Sequence, residues 1–127
     1  MKVAASPNAS GLIVSQNHAI ACGEVGIAVE GDAVVTGNLV AGSFYGLKLG
    51  GEGEGHILAT GNLLRNCNIG VGVTASGETI FASLNLIHAP QNGGIRPFIG
   101  SKLLPPDLVR QSAESYPNLT VAGNVVR

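Results

Sequence analysis

Residues 57–64 read Ile-Leu-Ala-Thr-Gly-Asn-Leu-Leu: an apolar pair, small residues, an asparagine, then a second apolar pair. The pattern returns as Ile13-Val14 to Asn17 to Ile20 and as Val34-Val35 to Asn38-Leu39-Val40. It returns again as Ile80-Phe81 to Asn85-Leu86-Ile87 and as Leu119-Thr120-Val121 to Asn124-Val125-Val126. Successive asparagines lie 21, 24, 23 and 39 residues apart. A strand-built repeat with a period in the low twenties implies a solenoid, in which each turn buries its apolar face on the next.

A second signature follows each asparagine segment: glycine, apolar, any residue, apolar. It occurs as Gly26-Ile27-Ala28-Val29, Gly46-Leu47-Lys48-Leu49 and Gly70-Val71-Gly72-Val73, with a degraded copy at Gly94-Ile95-Arg96-Pro97. Alternation with period two marks a strand buried on one face. About three short strands per coil, joined by turns such as Glu30-Gly31-Asp32 and Ala75-Ser76-Gly77, give an all-β parallel β-helix of about five coils. Right-handed winding is the default for parallel crossovers. The repeated asparagine suits a turn, where its amide bonds local backbone. Stacked at the strand spacing of ~4.8 Å, such amides also bond one another. Asn17, Asn38, Asn62 and Asn85 are therefore expected to form a structural ladder.

Composition bounds the possibilities. The chain has 127 residues, 45% hydrophobic and 12% charged, with 19 glycines and no tryptophan. This is enough apolar material for one core and too little charge for a disordered chain. A net charge of -1 offers no general footing for nucleic acid or an anionic membrane. No apolar run approaches the ~20 residues that cross a bilayer, so no membrane insertion is expected. Residues 1–10 lack the apolar centre of a signal peptide and read as a lead-in. The repeat is established by Leu12 without a distinct cap, so the expectation is a segment of a longer solenoid, with an edge open to self-association.

Residues 11–92 carry the regular coils, 93–118 an insertion, and 119–127 a final strand pair. Residues 88–118 hold five of the six prolines. Pro105-Pro106-Asp107 followed by Leu108, Val109, Gln111, Ala113 and Glu114 predicts a short helix, since proline and an acid favour a first turn. Leu103, Leu104, Leu108 and Val109 are placed to cover an edge or side of the solenoid.

Few residues suggest chemistry. Cys22 and Cys67 each lie five residues after a ladder asparagine, in one column with Ser43 between. Two strand spacings, about 9–10 Å, exceed disulfide reach, so free buried thiols are expected. The outward column of the second signature reads Ala28, Lys48, Gly72, Arg96. Lys48 and Arg96, two coils apart, are the candidate ligand-binding residues, for an acidic polysaccharide. His18, His56 and His88 fall in different columns without ligand spacing, and no metal or cofactor is expected. The loop Gly50-Gly51-Glu52-Gly53-Glu54-Gly55-His56 partly matches a calcium nonapeptide, but Gly55 replaces the aspartate and the motif is single. It reads as a turn. Glu24, Glu30, Asp32, Glu52, Glu54 and Glu78 lie mostly in turns without converging as an acid–base pair. Asn8 and Asn118 begin N-x-S/T sequons. Phe44, Tyr45, Phe81, Phe98 and Tyr116 form no column.

The coil pattern resembles right-handed parallel β-helix proteins of the pectin-lyase-like superfamily. The tail, PPDLVRQSAESYPNLTVAGNVVR at residues 105–127, resembles the C-terminal end of uncharacterised bacterial twin-arginine-translocated repeat proteins. There a Pro-Asp-Leu segment leads through an aromatic-Pro pair, here Tyr116-Pro117, into one last Asn strand. The resemblance implies an exported, periplasmic protein, folded before export. Superfamily relatives include pectate lyases, polygalacturonases and mannuronan epimerases, whose catalytic residues have no counterpart here, so no catalytic role carries over. The expected function is a structural or acidic-polysaccharide-binding module. The alternative is part of a lyase, hydrolase or epimerase whose catalytic coils lie upstream.

Overall fold

The computed structural model describes residues 2–4 (backbone only), 11–21, 23–51 and 53–127. Among these are sixteen strands, β1–β16 in chain order, and no helix. They form three sheets whose strands stack along one axis. Sheet A contains β1 (Lys2–Ala4), β4 (Val25–Glu30), β7 (Tyr45–Leu49), β10 (Ile69–Thr74), β13 (Ile95–Ile99) and β14 (Lys102–Leu103). Sheet B contains β2 (Leu12–Ser15), β5 (Ala33–Thr36), β8 (His56–Thr60), β11 (Thr79–Ser83) and β15 (Leu119–Ala122). Sheet C contains β3 (His18–Ile20), β6 (Leu39–Ala41), β9 (Leu63–Arg65), β12 (Leu86–His88) and β16 (Val125–Val126). The chain passes through B, C and A in turn. It makes four complete turns of a β-solenoid, with β1 preceding them and β15–β16 following.

Every sheet neighbour except β14 is parallel and in register, so each repeat position becomes a column. Inward columns make the core: Val35, Ala59 and Ala82 from sheet B, Val40, Leu64 and Ile87 from sheet C, and Leu47, Val71 and Ile95 from sheet A, all buried. Each fully buried Val, Leu or Ile contributes about 1.5–3 kcal/mol.

The second signature's glycine has a steric cause. A Cβ on Gly70 would lie 2.5 Å from Ile87 Cγ2 and 2.7 Å from the Gly94 carbonyl oxygen. On Gly46 it would lie 2.6 Å from the Gly70 carbonyl oxygen. The chain bends from sheet C into sheet A here, and the bend brings backbone against backbone.

The asparagine's preceding residue has a conformational cause. Gln16, Gly37, Gly61, Leu84 and Gly123 all turn with φ between 56° and 68°, the left-handed region that costs an L side chain roughly 1–3 kcal/mol. Leu84 fills this position with its side chain exposed. Leu84→Gly is therefore expected to stabilise the chain by about 0.5–1 kcal/mol after the glycine's extra unfolded-state entropy, read as a raised urea midpoint. A lowered midpoint would show instead that the Leu84 contact with Gly123 outweighs the strain.

β13 continues sheet A through Arg96, Pro97 and Phe98, in register with β10, so the chain leaves the solenoid at Gly100. The helix expected after Pro105 does not form. Residues 104–118 are turns, and Asp107 shows why. Its carboxylate accepts from the amides of Gly94 (3.1 Å), Ile95 (3.2 Å) and Val109 (3.2 Å). In the coil above, the equivalent amides of Gly70 and Val71 donate to carbonyls of the following coil, at 3.1 and 2.8 Å. Asp107 replaces those carbonyls at the end of sheet A. Leu108, 4% exposed, closes the core beneath it and donates its amide to the Ile95 carbonyl at 2.8 Å. Capping the solenoid in this way uses the residues that a helix would have needed for its first turn.

Candidate functional site

The outer face of sheet A carries the column of interest. Ala28, Lys48, Gly72 and Arg96 are direct register partners in β4, β7, β10 and β13. Gly72 lies between the two cations, and its missing side chain matters: a Cβ there would meet Tyr45 Cε1 at 2.6 Å and Phe98 Cδ1 at 3.5 Å. The Tyr45 ring lies over Gly72, with its centroid 6.3 Å from that of Phe98. Phe44 packs edge-on against Tyr45 at 5.1 Å. Lys48 Nζ stands 5.0 Å from the Phe98 centroid and 5.6 Å from that of Tyr45. Tyr45 and Phe98 are 8% and 2% exposed. They form a second apolar layer outside the sheet and hold the lysine stem. Burial, the largest cause, pushes the Tyr45 hydroxyl above its ordinary range; Arg96 opposes this and Glu24 adds to it.

Arg96 shares the column but not the freedom. Its Nε and Nη2 donate to the Leu104 carbonyl at 3.0 and 2.8 Å, and Nη1 to that of Asn92 at 3.2 Å. β14 returns antiparallel beside β13, pairing Phe98 with Leu103. Arg96 clasps this return to the sheet. Among the column's described side chains, Lys48 is the cation left to a ligand, at a groove of about 340 Å³ that Glu30, Gly50, Gly51, Phe98 and Gly100 also line. The groove offers an ammonium donor, a carboxylate acceptor and an apolar edge.

The asparagines stack as a continuous ladder. The Nδ2 atoms of Asn17, Asn38, Asn62 and Asn85 donate to the Oδ1 of the next asparagine at 3.0, 2.9, 2.9 and 2.9 Å, ending on Asn124. Asn38, Asn62 and Asn85 are buried. This turns the amides inward, away from any ligand.

The glycine-rich loop has a purpose that sequence reasoning missed. Glu78, 0% exposed, accepts from the Gly31 amide at 3.0 Å and from the Gly51 amide at 3.1 Å. It links turns of successive coils. Gly50 and Gly53 approach the same carboxylate closely enough that an added Cβ would lie 3.3 and 3.6 Å from it. The signal was an acid spaced one repeat after a run of glycines.

The remaining candidates sit apart. His18 and His88 lie in separate columns of sheet C, and His56 is on sheet B beside Asp32. No group of three His, Cys, Asp or Glu side chains suited to a metal occurs among the described residues. Cys67 is free and buried, Cys22 lies outside the described residues, and the buried Ser43 Oγ has no hydrogen-bond partner among the described residues. Asn118 donates to the carbonyls of Thr74 and Glu78, both at 2.9 Å, which commits its amide to the fold. The sequon at Asn8 and the carboxylate of Glu52 lie outside the described residues.

Sheet B presents a different surface. Ile13, Val34, Leu58 and Phe81 are register partners and all exposed. The signal was present in the repeat: of two adjacent apolar residues in a strand, one must face outward.

A scan against protein-family models, a search of curated proteins and a search of solved structures each return no match. The strand stacking and register alone establish the β-solenoid.

Proposed function

We propose that this chain is a non-catalytic β-solenoid module that binds an acidic polysaccharide on the outer face of sheet A, in the setting of an exported protein. The observation that carries this reading is Lys48, whose ammonium is held over Tyr45 and Phe98 beside an open groove. Arg96 acts as a positioning residue, because its three donors already close the return segment onto the sheet. The earlier pairing of two cations therefore narrows to one. A sugar carboxylate takes the Lys48 ammonium, and Glu30 accepts from ring hydroxyls. A charge-assisted hydrogen bond contributes about 1.5–3 kcal/mol when water is excluded, and less at an exposed rim.

Calorimetric titration with polygalacturonate and alginate at two salt concentrations tests this. Binding is expected that weakens with salt and falls about tenfold in Lys48→Ala, following the ~1.4 kcal/mol expected of one such contact. No binding by the folded chain, or equal binding by Lys48→Ala, overturns the proposal. A scaffold role is the second reading, favoured by the exposed apolar column of sheet B.

A further inference from the structure

The outer face of sheet B has three columns along the solenoid axis. The central one is apolar over four strands, with Ile13, Val34, Leu58 and Phe81 at 78%, 37%, 41% and 46% exposed, and ends on Thr120 of β15. One flank carries hydroxyls in register, Ser15, Thr36, Thr60 and Ser83. The other flank runs Gly11, Asp32, His56, Thr79. Asp32 is the only carboxylate in these columns, and neither lysine nor arginine occurs in them. Four adjacent exposed apolar side chains in one row mark a contact surface, and the arrangement of the row indicates what it meets.

We infer that this face is the contact between two copies of the chain, packed sheet against sheet about a two-fold axis that runs along the strands between β5 and β8. Such a rotation keeps each column over its own kind across β2, β5, β8 and β11, reverses the order of the coils and leaves β15 beyond the contact. Val34 then meets the partner's Leu58, and Ile13 meets the partner's Phe81. Thr36 faces Thr60, and Ser15 faces Ser83. On the polar flank the same operation sets Asp32 against the partner's His56, and His56 against the partner's Asp32.

Within one copy these two side chains are already neighbours, with His56 Nδ1 3.7 Å from Asp32 Oδ1 and side-chain exposures of 81% and 48%. The dimer therefore alternates carboxylate and imidazole around a ring of four. Sizes match as well. Gly11 has no side chain, and a groove of about 470 Å³ runs from it past Ile13, Val34 and Leu58. The partner's Phe81, the largest side chain of the row, packs on Ile13 beside that glycine. A two-fold interface has to be self-complementary, and under this operation the carboxylate meets an imidazole, the hydroxyls meet hydroxyls and the apolar row meets itself.

The contact is small. Four strands at ~4.8 Å by five residues at ~3.3 Å cover roughly 300 Å² per copy, under half of a standard interface. The dimer is accordingly weak and concentration-dependent.

Sedimentation velocity of the full chain from about 5 µM to about 1 mM, where a weak pair of this kind assembles, reads it directly. The weight-average mass should rise from monomer toward dimer. Leu58→Glu, on an outward position, should keep the circular dichroism of the native chain and weaken assembly at least tenfold. His56→Asp should weaken it at least fivefold by opposing the partner's Asp32, while His56→Lys should preserve it. A monomer at every concentration overturns the inference, as does a dimer indifferent to Leu58→Glu. Equal assembly by His56→Asp and His56→Lys overturns the two-fold arrangement. The assay contains no glycan, so its outcome is separate from that of the polysaccharide proposal.

Discussion

Asn62→Leu should lower the stability of this chain by about 3–5 kcal/mol, because it removes a buried acceptor and a buried donor together. Asn62 Oδ1 accepts from Asn38 twice, from the backbone amide at 3.1 Å and from Nδ2 at 2.9 Å. Asn62 Nδ2 donates to Asn85 Oδ1 at 2.9 Å and to the Val35 carbonyl at 3.0 Å. Leucine matches the volume but supplies none of these bonds. The Asn38 amide and the Val35 carbonyl are left without those partners in the interior, at roughly 1–3 kcal/mol each. Against a total of about 5–15 kcal/mol for a domain, that loss is large. Asn17→Leu is the control. Asn17 is only partly buried, sits at the first rung, and donates without accepting from a described asparagine. Its substitution should cost about 1 kcal/mol. Urea unfolding of the two variants reads the difference. Equal losses would show that the ladder's interior rungs contribute no more than a surface turn does.

The solenoid itself was legible because its physics is periodic. One register, repeated, places each repeat asparagine on the ladder, each signature glycine at the C-to-A bend and the inward apolar residues in the core. What was not legible depends on contacts between repeats rather than within them. The segment after Pro105 carries correct local signals for a helix, and one turn does begin: the amides of Arg110 and Gln111 donate to the Asp107 carbonyl at 3.0 and 2.9 Å. It stops there because the Asp107 side chain is drawn to the Gly94 and Ile95 amides, which nothing in the local sequence announces. The Tyr45–Phe98 layer was missed for a similar reason. The two residues are not column partners; they converge because Gly72 lies empty between them. Lys48 and Arg96 do share a column, as their spacing implied, but spacing alone gives no sign that Leu104 returns to occupy the guanidinium.

Glu78 extends this argument to the turns. A fully buried carboxylate needs donors on each oxygen, and the structure gives it the Gly31 amide on Oε2 and the Gly51 amide on Oε1. Glu78→Ala is expected to cost about 3 kcal/mol, from two orphaned amides and a lost charge-assisted pair. The loss is limited by water reaching Gly31 and Gly51, which are half-buried. Glu78→Gln should fall between the variant and the native chain, since one of its two ends must present a donor to a donor. Stability alone would not separate this role from simple packing. Amide hydrogen exchange does: Gly31 and Gly51 should lose protection in Glu78→Ala while the core amides of Leu47 and Val71 exchange only as fast as global unfolding allows. Uniform loss across all four amides would mean that Glu78 acts through the fold as a whole. Selective loss would establish it as the tie between successive turns, and would explain why a run of glycines, with no side chains to block the approach, is placed around it.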